Sequence, residues 1–343
     1  DMLLKLAYVM TGLYAMASMP MVLEHLTRVV YSVFGNPLGV TVAQLNLTEI
    51  VSMYILPSLA FAAGYKIYAR NEAKINPYHH ILFAIPVLGG VGLLYMVMSM
   101  LLAQDAAIRS YPFGFIERGV FSLVIASYAA MLIGLSQAAT GTTTRTLSAL
   151  WGQLVVLVVL ARVAYFDMFM YFPMENQDQE VGSLPIFNGV TLTYGLGLAL
   201  ALAARHLKIG VEEFPWLGTA YKIIALLFLL ALESLTVRQY VHGSVLFTPW
   251  TDTMASSELY AYSVVWLLSG LALLAYGIKR SDRSLRVASL VFITLTIGKV
   301  FLIDAANLEG LYRVFSFLGL GVSLIGLSVF TTRYMNGLGN DKT

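Results

Sequence analysis

Long runs of apolar residues, separated by short polar segments, dominate the hydrophobic pattern of this chain. A helix that crosses a bilayer needs about 20 mostly apolar residues. By that criterion the sequence predicts ten spans, at roughly 4–24, 49–69, 80–103, 115–137, 147–170, 188–204, 219–241, 259–278, 285–304 and 311–332. The alternation of apolar and polar residues that is typical of a membrane barrel is not found. We therefore expect an all-α, polytopic bundle of transmembrane helices.

The basic residues between these spans predict the orientation of the chain, because lysine and arginine are enriched in cytoplasmic loops. Most of them lie in or beside one set of alternate loops, namely Lys66, Arg70, Lys74, Arg145, Arg205, Lys208, Lys222, Lys279, Arg280, Arg283 and Arg286. The segment PMENQDQEVGS at 173–183 lies on the opposite side and contains no basic residue. Both termini are therefore predicted to be cytoplasmic, and this acidic segment is predicted to face outward.

The composition supports a membrane location and excludes several other classes of protein. Hydrophobic residues make up 58% of the 343 residues and charged residues 12%, whereas soluble domains carry about 25% charged residues. The net charge of +2, without a basic stripe, argues against a nucleic-acid partner. Cysteine is absent, and the adjacent His79 and His80, expected on a cytoplasmic loop, have the wrong spacing for metal ligands. We predict one integral membrane domain over residues 1–343, in contact with lipids and without a cofactor.

Several charged residues are predicted at or below the outer edge of the membrane. Glu233 follows the cytoplasmic Lys222 by 11 residues, which places it about 16 Å into a hydrocarbon core about 30 Å thick. Lys299 follows Arg286 by 13 residues, or about 20 Å. Neither side chain reaches water easily along the lipid-facing surface. Both should therefore point into the bundle, pair with an opposite charge or line a wet cavity.

These charges supply the candidate site residues. The candidates for ligand binding are Lys299, Arg313, Arg238, Arg162, Asp167 and His242, and the candidates for a catalytic base are Glu233 and Asp304. Arginine suits phosphate and carboxylate groups because its guanidinium is a planar fork. The same residues could instead neutralise one another and fix the helix register. Arg109, Glu117 and Arg118, in a loop and at a helix start, are expected to be solvated.

Two of the helices share a short pattern, RVAYFD at 162–167 and KVFLID at 299–304. Each begins with a cation, ends with an aspartate and is followed by a helix with closely spaced glycines, YGLGL at 194–198 and LGLGV at 318–322. Such small residues allow helix backbones to approach closely. The pattern favours a weak duplication of helix pairs, 147–204 and 285–332, which would place both cation–carboxylate pairs around one outward-facing site.

The C-terminal half resembles a known family. The segments ESLTVRQYVHG (233–243), SELYAYSVVWLL (257–268) and LRVASLVFITLTIGKVFLIDAANLEGLYRVFSFLGLGVSLIGLS (285–328) are similar to a bacterial family of large polytopic membrane proteins catalogued only as a domain of unknown function. The resemblance covers roughly 180–335, and the earlier helices share only its general character. It implies a bacterial inner membrane and marks Glu233, Arg238, Lys299, Asp304 and Arg313 as part of the family's motifs. It implies no reaction or ligand.

Three functions are compatible with this pattern, and the sequence leaves open whether any of them is enzymatic. The first is a periplasm-facing polar cavity that binds or processes an anionic, lipid-linked envelope precursor. The second is a membrane scaffold or assembly subunit, in which the ion pairs are structural and small-residue faces pack against a membrane-protein partner. The third is a secondary transporter, in which Glu233 near the midplane carries protons or binds substrate.

Overall fold

A computed structural model describes residues 47–71, 77–102, 114–175, 179–184, 186–212, 214–247, 256–304, 318–326 and 328–329. Most of these residues are helical, and the only bridge between extended segments within these ranges joins Glu180 to Val245. The prediction of an all-α chain is confirmed for this part of the protein.

The helices follow the predicted apolar runs closely. In chain order they are α1 (residues 47–71), α2 (Pro77–Leu102), α3 (Phe115–Ala138), α4 (Thr142–Arg162), α5 (Leu196–His206), α6 (Leu217–His242), α7 (Ser256–Lys279) and α8 (Arg283–Lys299). Residues 318–326 and 328–329 are also helical. The agreement is close because the length of an apolar run is itself the signal for a membrane helix.

Four stretches of this helical structure are π-helical. We label them π1 (Val51–Ile55), π2 (Val163–Met170), π3 (Thr191–Gly195) and π4 (Val300–Asp304). π1 lies inside α1, π2 and π4 directly continue α4 and α8, and π3 directly precedes α5. A π-helix bonds residue i to i+5, is rare, and often occurs at functional sites.

Six helices in the described ranges are long and apolar enough to cross a membrane. They cover Pro77–Leu94, Phe115–Ala138, Thr142–Met170, Leu217–His242, Ser257–Lys279 and Arg283–Ile303. The spans predicted at 49–69 and 188–204 coincide with helix but are not among these six. The span predicted at 4–24 lies outside the described residues, and the one at 311–332 lies only partly within them. Ten spans, and the sides on which the termini lie, stay predictions.

The expected position of the two adjacent histidines was wrong. His79 and His80 lie in the first turn of α2, not in a loop, because Pro77 begins the helix ahead of the apolar run, and proline is favoured at the first helical position. His79 is buried, and its ring centroid lies 4.6 Å from that of Tyr68. Its position is therefore that of a packed core residue.

The chain divides into two compact units, residues 1–228 with 244–247 and residues 229–243 with 248–343. Each contains a pair of helices joined by three residues, a connection so short that the two helices run antiparallel side by side. We call α3, α4 and π2 the first hairpin, and α7, α8 and π4 the second hairpin. The first hairpin lies in the first unit and the second hairpin in the second unit. A single membrane domain over the whole chain stays a prediction.

Candidate functional site

Three charged side chains meet in the first hairpin. Nε of Arg118 donates to Oδ1 of Asp167 at 2.8 Å, and Nη1 of Arg162 lies 3.8 Å from Oδ2 of Asp167. Nη1 of Arg118 also donates to Oε1 of Gln179 at 2.9 Å. The side chains of Arg118, Arg162 and Asp167 are 4%, 7% and 0% exposed. We call these four residues the arginine–aspartate cluster.

The π-helical segment explains why Arg162 and Asp167 face the same way. Arg162 is the last residue of α4, and Asp167 lies five residues later, inside π2. In an α-helix each residue turns by about 100°, so that residues five apart point about 140° away from each other. The i to i+5 bonding of a π-helix instead brings such residues above one another. Arg162 and Asp167 of RVAYFD can therefore pair because the segment between them is π-helical.

Neighbouring polar groups hold this cluster in place. Nη1 of Arg162 donates to Oγ of Ser122, which in turn donates to the backbone oxygen of Arg118 at 2.8 Å. The hydroxyl of Tyr194 donates to the backbone oxygen of Asp167 at 2.5 Å. Oδ2 of Asp167 is buried and, within the described residues, accepts no hydrogen bond. The guanidinium of Arg162 faces it, with Nη1 3.8 Å away.

Aromatic rings cover the two guanidinium groups. The Arg118 guanidinium lies 5.1 Å from the ring centroid of Tyr171 and 5.6 Å from that of Phe115. The Arg162 guanidinium lies 5.5 Å from the ring centroid of Phe121. Cations at this distance from an aromatic face are attracted by its quadrupole. The rings therefore add to the stabilisation of positive charge in an apolar region.

The expectation that Arg118 is solvated was wrong. It lies in the first turns of α3, as the sequence indicates, but its side chain turns inward and meets Asp167. The neighbouring Glu117 instead accepts a hydrogen bond from the backbone N–H of Gly114 at 3.0 Å, as an acid at a helix start often does. The charge of Arg118 is stabilised by a partner 49 residues away, which local sequence does not reveal.

A second charged group lies in the second unit. Nη1 of Arg238 donates to Oε1 of Glu258 at 2.7 Å, and the hydroxyl of Tyr262 donates to the same oxygen at 2.6 Å. Nε2 of His242 lies 3.0 Å from Oε2 of Glu258. We call these four residues the glutamate cluster. Arg238 and His242, two of the candidates for ligand binding, thus both contact a carboxylate of the chain itself.

The remaining candidates lie elsewhere in the second unit. Nζ of Lys299 donates to the backbone oxygen of Leu259 at 2.6 Å and to Oγ of Ser263 at 2.8 Å. Oε1 of Glu233 accepts a hydrogen bond from Oγ of Ser269 at 2.5 Å. Asp304 is the last residue of π4, but its side chain, like the whole of Arg313, lies outside the described residues.

The two hairpins share a local arrangement that extends beyond the similarity of RVAYFD to KVFLID. Ser122 is the eighth residue of α3, and Ser263 is the eighth residue of α7. Each serine accepts a hydrogen bond from the cation that ends the second helix of its hairpin, Arg162 or Lys299. In both hairpins a π-helical segment follows that cation directly. The same cation–serine contact is therefore formed at the same kind of helix junction.

Comparison with known proteins identifies the family. Residues 2–334 match the family described as "Predicted membrane protein (DUF2339)". The chain belongs to this family. The resemblance drawn from residues 180–335 is confirmed, and the match also includes the N-terminal helices that share only a general character. No curated protein and no solved structure matches the chain.

Family membership supports a membrane location. The contacts within each cluster are known from the structure alone. Sequence reasoning missed Glu258 and Tyr262, and it treated Gln179 only as part of an acidic loop. One signal for Glu258 was available, since Arg238 and His242 are four residues apart and share a helix face, so that both reach one acceptor. That signal does not say which carboxylate they reach.

Proposed function

We propose that this member of the family is a multi-pass protein of the bacterial inner membrane whose periplasm-facing polar site binds an anionic, lipid-linked envelope precursor. The arginine–aspartate cluster carries the proposal. Two guanidinium groups and one carboxylate are gathered at a π-helical segment within an apolar span. Charged residues at such positions are rare and mark ligand or ion pathways. The outward orientation follows from the distribution of lysine and arginine.

The chemistry of the cluster favours a particular kind of headgroup. Guanidinium groups bind phosphate or carboxylate through paired hydrogen bonds, as Arg118 and Arg162 would do here. Oδ2 of Asp167 accepts no hydrogen bond from the part of the chain that the structure describes, and it suits a hydroxyl or amine donor. We therefore propose a headgroup that carries a phosphate or carboxylate next to a hydroxyl or amine.

A ligand must displace part of this cluster in order to bind, because the three charged side chains are almost fully buried. The π2 segment has one residue in the cluster and other residues on the surface of the protein. It contains Asp167, and its Phe169 and Met170 are 71% and 52% exposed. These two side chains offer apolar contact to an attached lipid chain. The roles of Glu233 and Asp304 as catalytic bases stay predictions.

Native mass spectrometry of the protein, released gently from its own membrane, tests this function. The variants are Arg162→Gln and, as a matched control on the same helix, Arg145→Gln, whose side chain is exposed near the start of α4. We expect an anionic lipid bound to the wild type and to the control, and its loss from Arg162→Gln. Size-exclusion chromatography checks that the variant is folded. An empty wild type, or an Arg162→Gln variant that keeps its lipid, contradicts the proposal.

A membrane scaffold or assembly subunit is the second candidate. The glutamate cluster favours it, because Arg238 and Glu258 are each 1% exposed and bind each other, as structural ion pairs do. A membrane-protein partner at fixed stoichiometry, retained after Lys299→Met and without a bound lipid, supports this alternative. If the Lys299→Met variant loses the partner and the wild type carries a bound lipid, the result favours the ligand-binding function over the scaffold.

A further inference from the structure

Glu233 lies deep in a membrane span and forms one hydrogen bond. It is residue 17 of the 26 in α6, about 24 Å along the helix axis. Its Oε1 accepts from Ser269 Oγ at 2.5 Å, whereas its Oε2 is buried and accepts no hydrogen bond from any residue that the structure describes. The next residue, Ser234, accepts from Trp266 Nε1 at 3.1 Å. Within the described residues, the one polar contact of this carboxyl is thus the hydroxyl of Ser269.

The charged groups of the second unit do not pair with Glu233. The titratable residues on the described parts of its three helices are Arg238, Tyr240, His242, Glu258, Tyr260, Tyr262, Tyr276, Lys279, Arg283, Arg286 and Lys299. None of the cations among them lies within 4 Å of the Glu233 carboxyl in this part of the chain. Arg238 and His242, on the same helix, both contact Glu258. Lys299 donates to a backbone oxygen and a serine.

Glu258 shows how this unit stabilises a carboxylate that keeps its charge. Its side chain is 1% exposed, and it receives hydrogen bonds from Arg238 and Tyr262 and contacts His242. A carboxylate with a guanidinium partner and several donors favours the ionised form. Glu233 has none of these partners except one hydroxyl. Burial without compensation favours the neutral form of an acid.

We propose that Glu233 is a proton-binding site within the membrane, where it holds its proton as a neutral carboxylic acid at neutral pH. The acid form removes a charge from the apolar span and gives the carboxyl a donor of its own. Such a group releases its proton only when water or a cation reaches it. This proposal is independent of lipid binding at the arginine–aspartate cluster and rests on different residues in the other unit.

Infrared difference spectroscopy tests the proton directly. The protein in lipid vesicles is compared with Glu233→Gln, which keeps the shape of the neutral acid. We expect the carbonyl stretch of a protonated carboxylic acid in the wild type and its loss in the variant, with an unchanged unfolding temperature. Glu258→Gln is the matched control and should leave that band in place. The proposal is overturned if the wild type shows no protonated carboxyl band, or if the band remains in Glu233→Gln.

A chemical test on the wild type alone applies if the variant does not fold. Dicyclohexylcarbodiimide reacts with protonated carboxyls in apolar surroundings. The acid proton moves to a carbodiimide nitrogen, the carboxyl oxygen bonds to the central carbon, and the acyl group then migrates to nitrogen to leave a stable N-acylurea. Peptide mass spectrometry should find the adduct on Glu233 at about ten-fold or more the level on the ionised Glu258. Equal modification of the two residues, or none on Glu233, overturns the proposal.

Discussion

The two hairpins have the same construction, and the described contacts of their cations differ in one respect. In each, the cation that ends the second helix donates to a serine on the first helix, directly before a π-helical segment. In the first hairpin, Arg162 also faces a carboxylate within its own π segment, and Arg118 approaches that carboxylate from α3. In the second hairpin, Lys299 donates to two neutral oxygens. Both hairpins share the helix junction and the cation–serine contact, and the first hairpin adds the contact between Arg162 and Asp167.

This difference indicates which parts of the design are general. In both hairpins the eighth residue of the first helix is a serine that contacts the cation at the helix junction. The buried carboxylate is placed separately, in π2 for the first hairpin and at the start of α7 for the second. Glu258 occupies the third position of α7, where Glu117 stands in α3. Glu258 binds a cation of α6, whereas Glu117 accepts a hydrogen bond at its own helix start.

The largest expected effect is the loss of Asp167. Asp167→Ala leaves Arg118 buried without its central carboxylate, and breaking a buried pair in this way lowers the free energy of unfolding by about 3–5 kcal/mol. Lys299→Met, which removes hydrogen bonds to neutral oxygens, should lower it by about 1–3 kcal/mol. Chemical unfolding in mixed micelles measures both, with the exposed Glu175→Ala as control. Equal losses for Asp167 and Lys299 would remove the distinction between the hairpins.

A medium effect is expected where the helices of each hairpin approach most closely. A Cβ at Gly152 would lie 2.8 Å from Cγ1 of Ile133 and 3.2 Å from the backbone oxygen of Ala129, and one at Gly270 would lie 2.9 Å from Cγ1 of Ile293. Substitution of either glycine by alanine should reduce stability by about 2 kcal/mol because the core is overpacked.

Gly134 provides the matched control for this prediction, since a Cβ there meets no atom within 4 Å. Gly134→Ala should increase stability by about 0.5–1 kcal/mol through helix propensity. The same unfolding measurement compares the three variants. A neutral result at Gly152 or Gly270 would mean that the helices in that hairpin are less closely packed than described.

The smallest effect is expected for the two serines that contact the cations, and it tests the similarity of the two hairpins most directly. Ser122→Ala and Ser263→Ala each remove the oxygen that accepts from the cation, and both should reduce stability by about 1.5 kcal/mol. Ser127→Ala is the control, because that serine is exposed and donates only within its own helix. A double-mutant cycle with Arg162→Met or Lys299→Met isolates the cation–serine contact. Coupling in one hairpin and not in the other would show that the shared arrangement is coincidental.

Much of the fold could be predicted from the sequence. The run at 115–137 became Phe115–Ala138 and the run at 219–241 became Leu217–His242, because a membrane helix is encoded by length and hydrophobicity. The π segments were not predictable in this way. One extra residue in a turn leaves the apolar run unchanged, and it is visible only through the five-residue spacing of RVAYFD and KVFLID.

The site was predicted in part. Each residue was found or missed for its own physical reason. Arg162 and Asp167 were found because they are close in sequence and both lie within an apolar run. Arg118 was missed because a charge near a helix start has a ready interpretation as solvated. Its contact with the buried Asp167 forms only when α3 packs against α4 and π2. Glu258 likewise resembles an acid that stabilises a helix start, and only the position of Arg238 shows otherwise.

The π segments also bear on how the lengths of the helices have changed during evolution. Inserting one residue into an α-helix turns everything after it by about 100°, and a π segment confines that insertion to a single turn. Relatives that differ by one residue within a span should therefore differ at 51–55, 163–170, 191–195 or 300–304. In an α-helix, a cation and an aspartate share one face when they are four residues apart. In the first hairpin the spacing is five, and one extra residue in the helical turn is what keeps Arg162 and Asp167 on the same face.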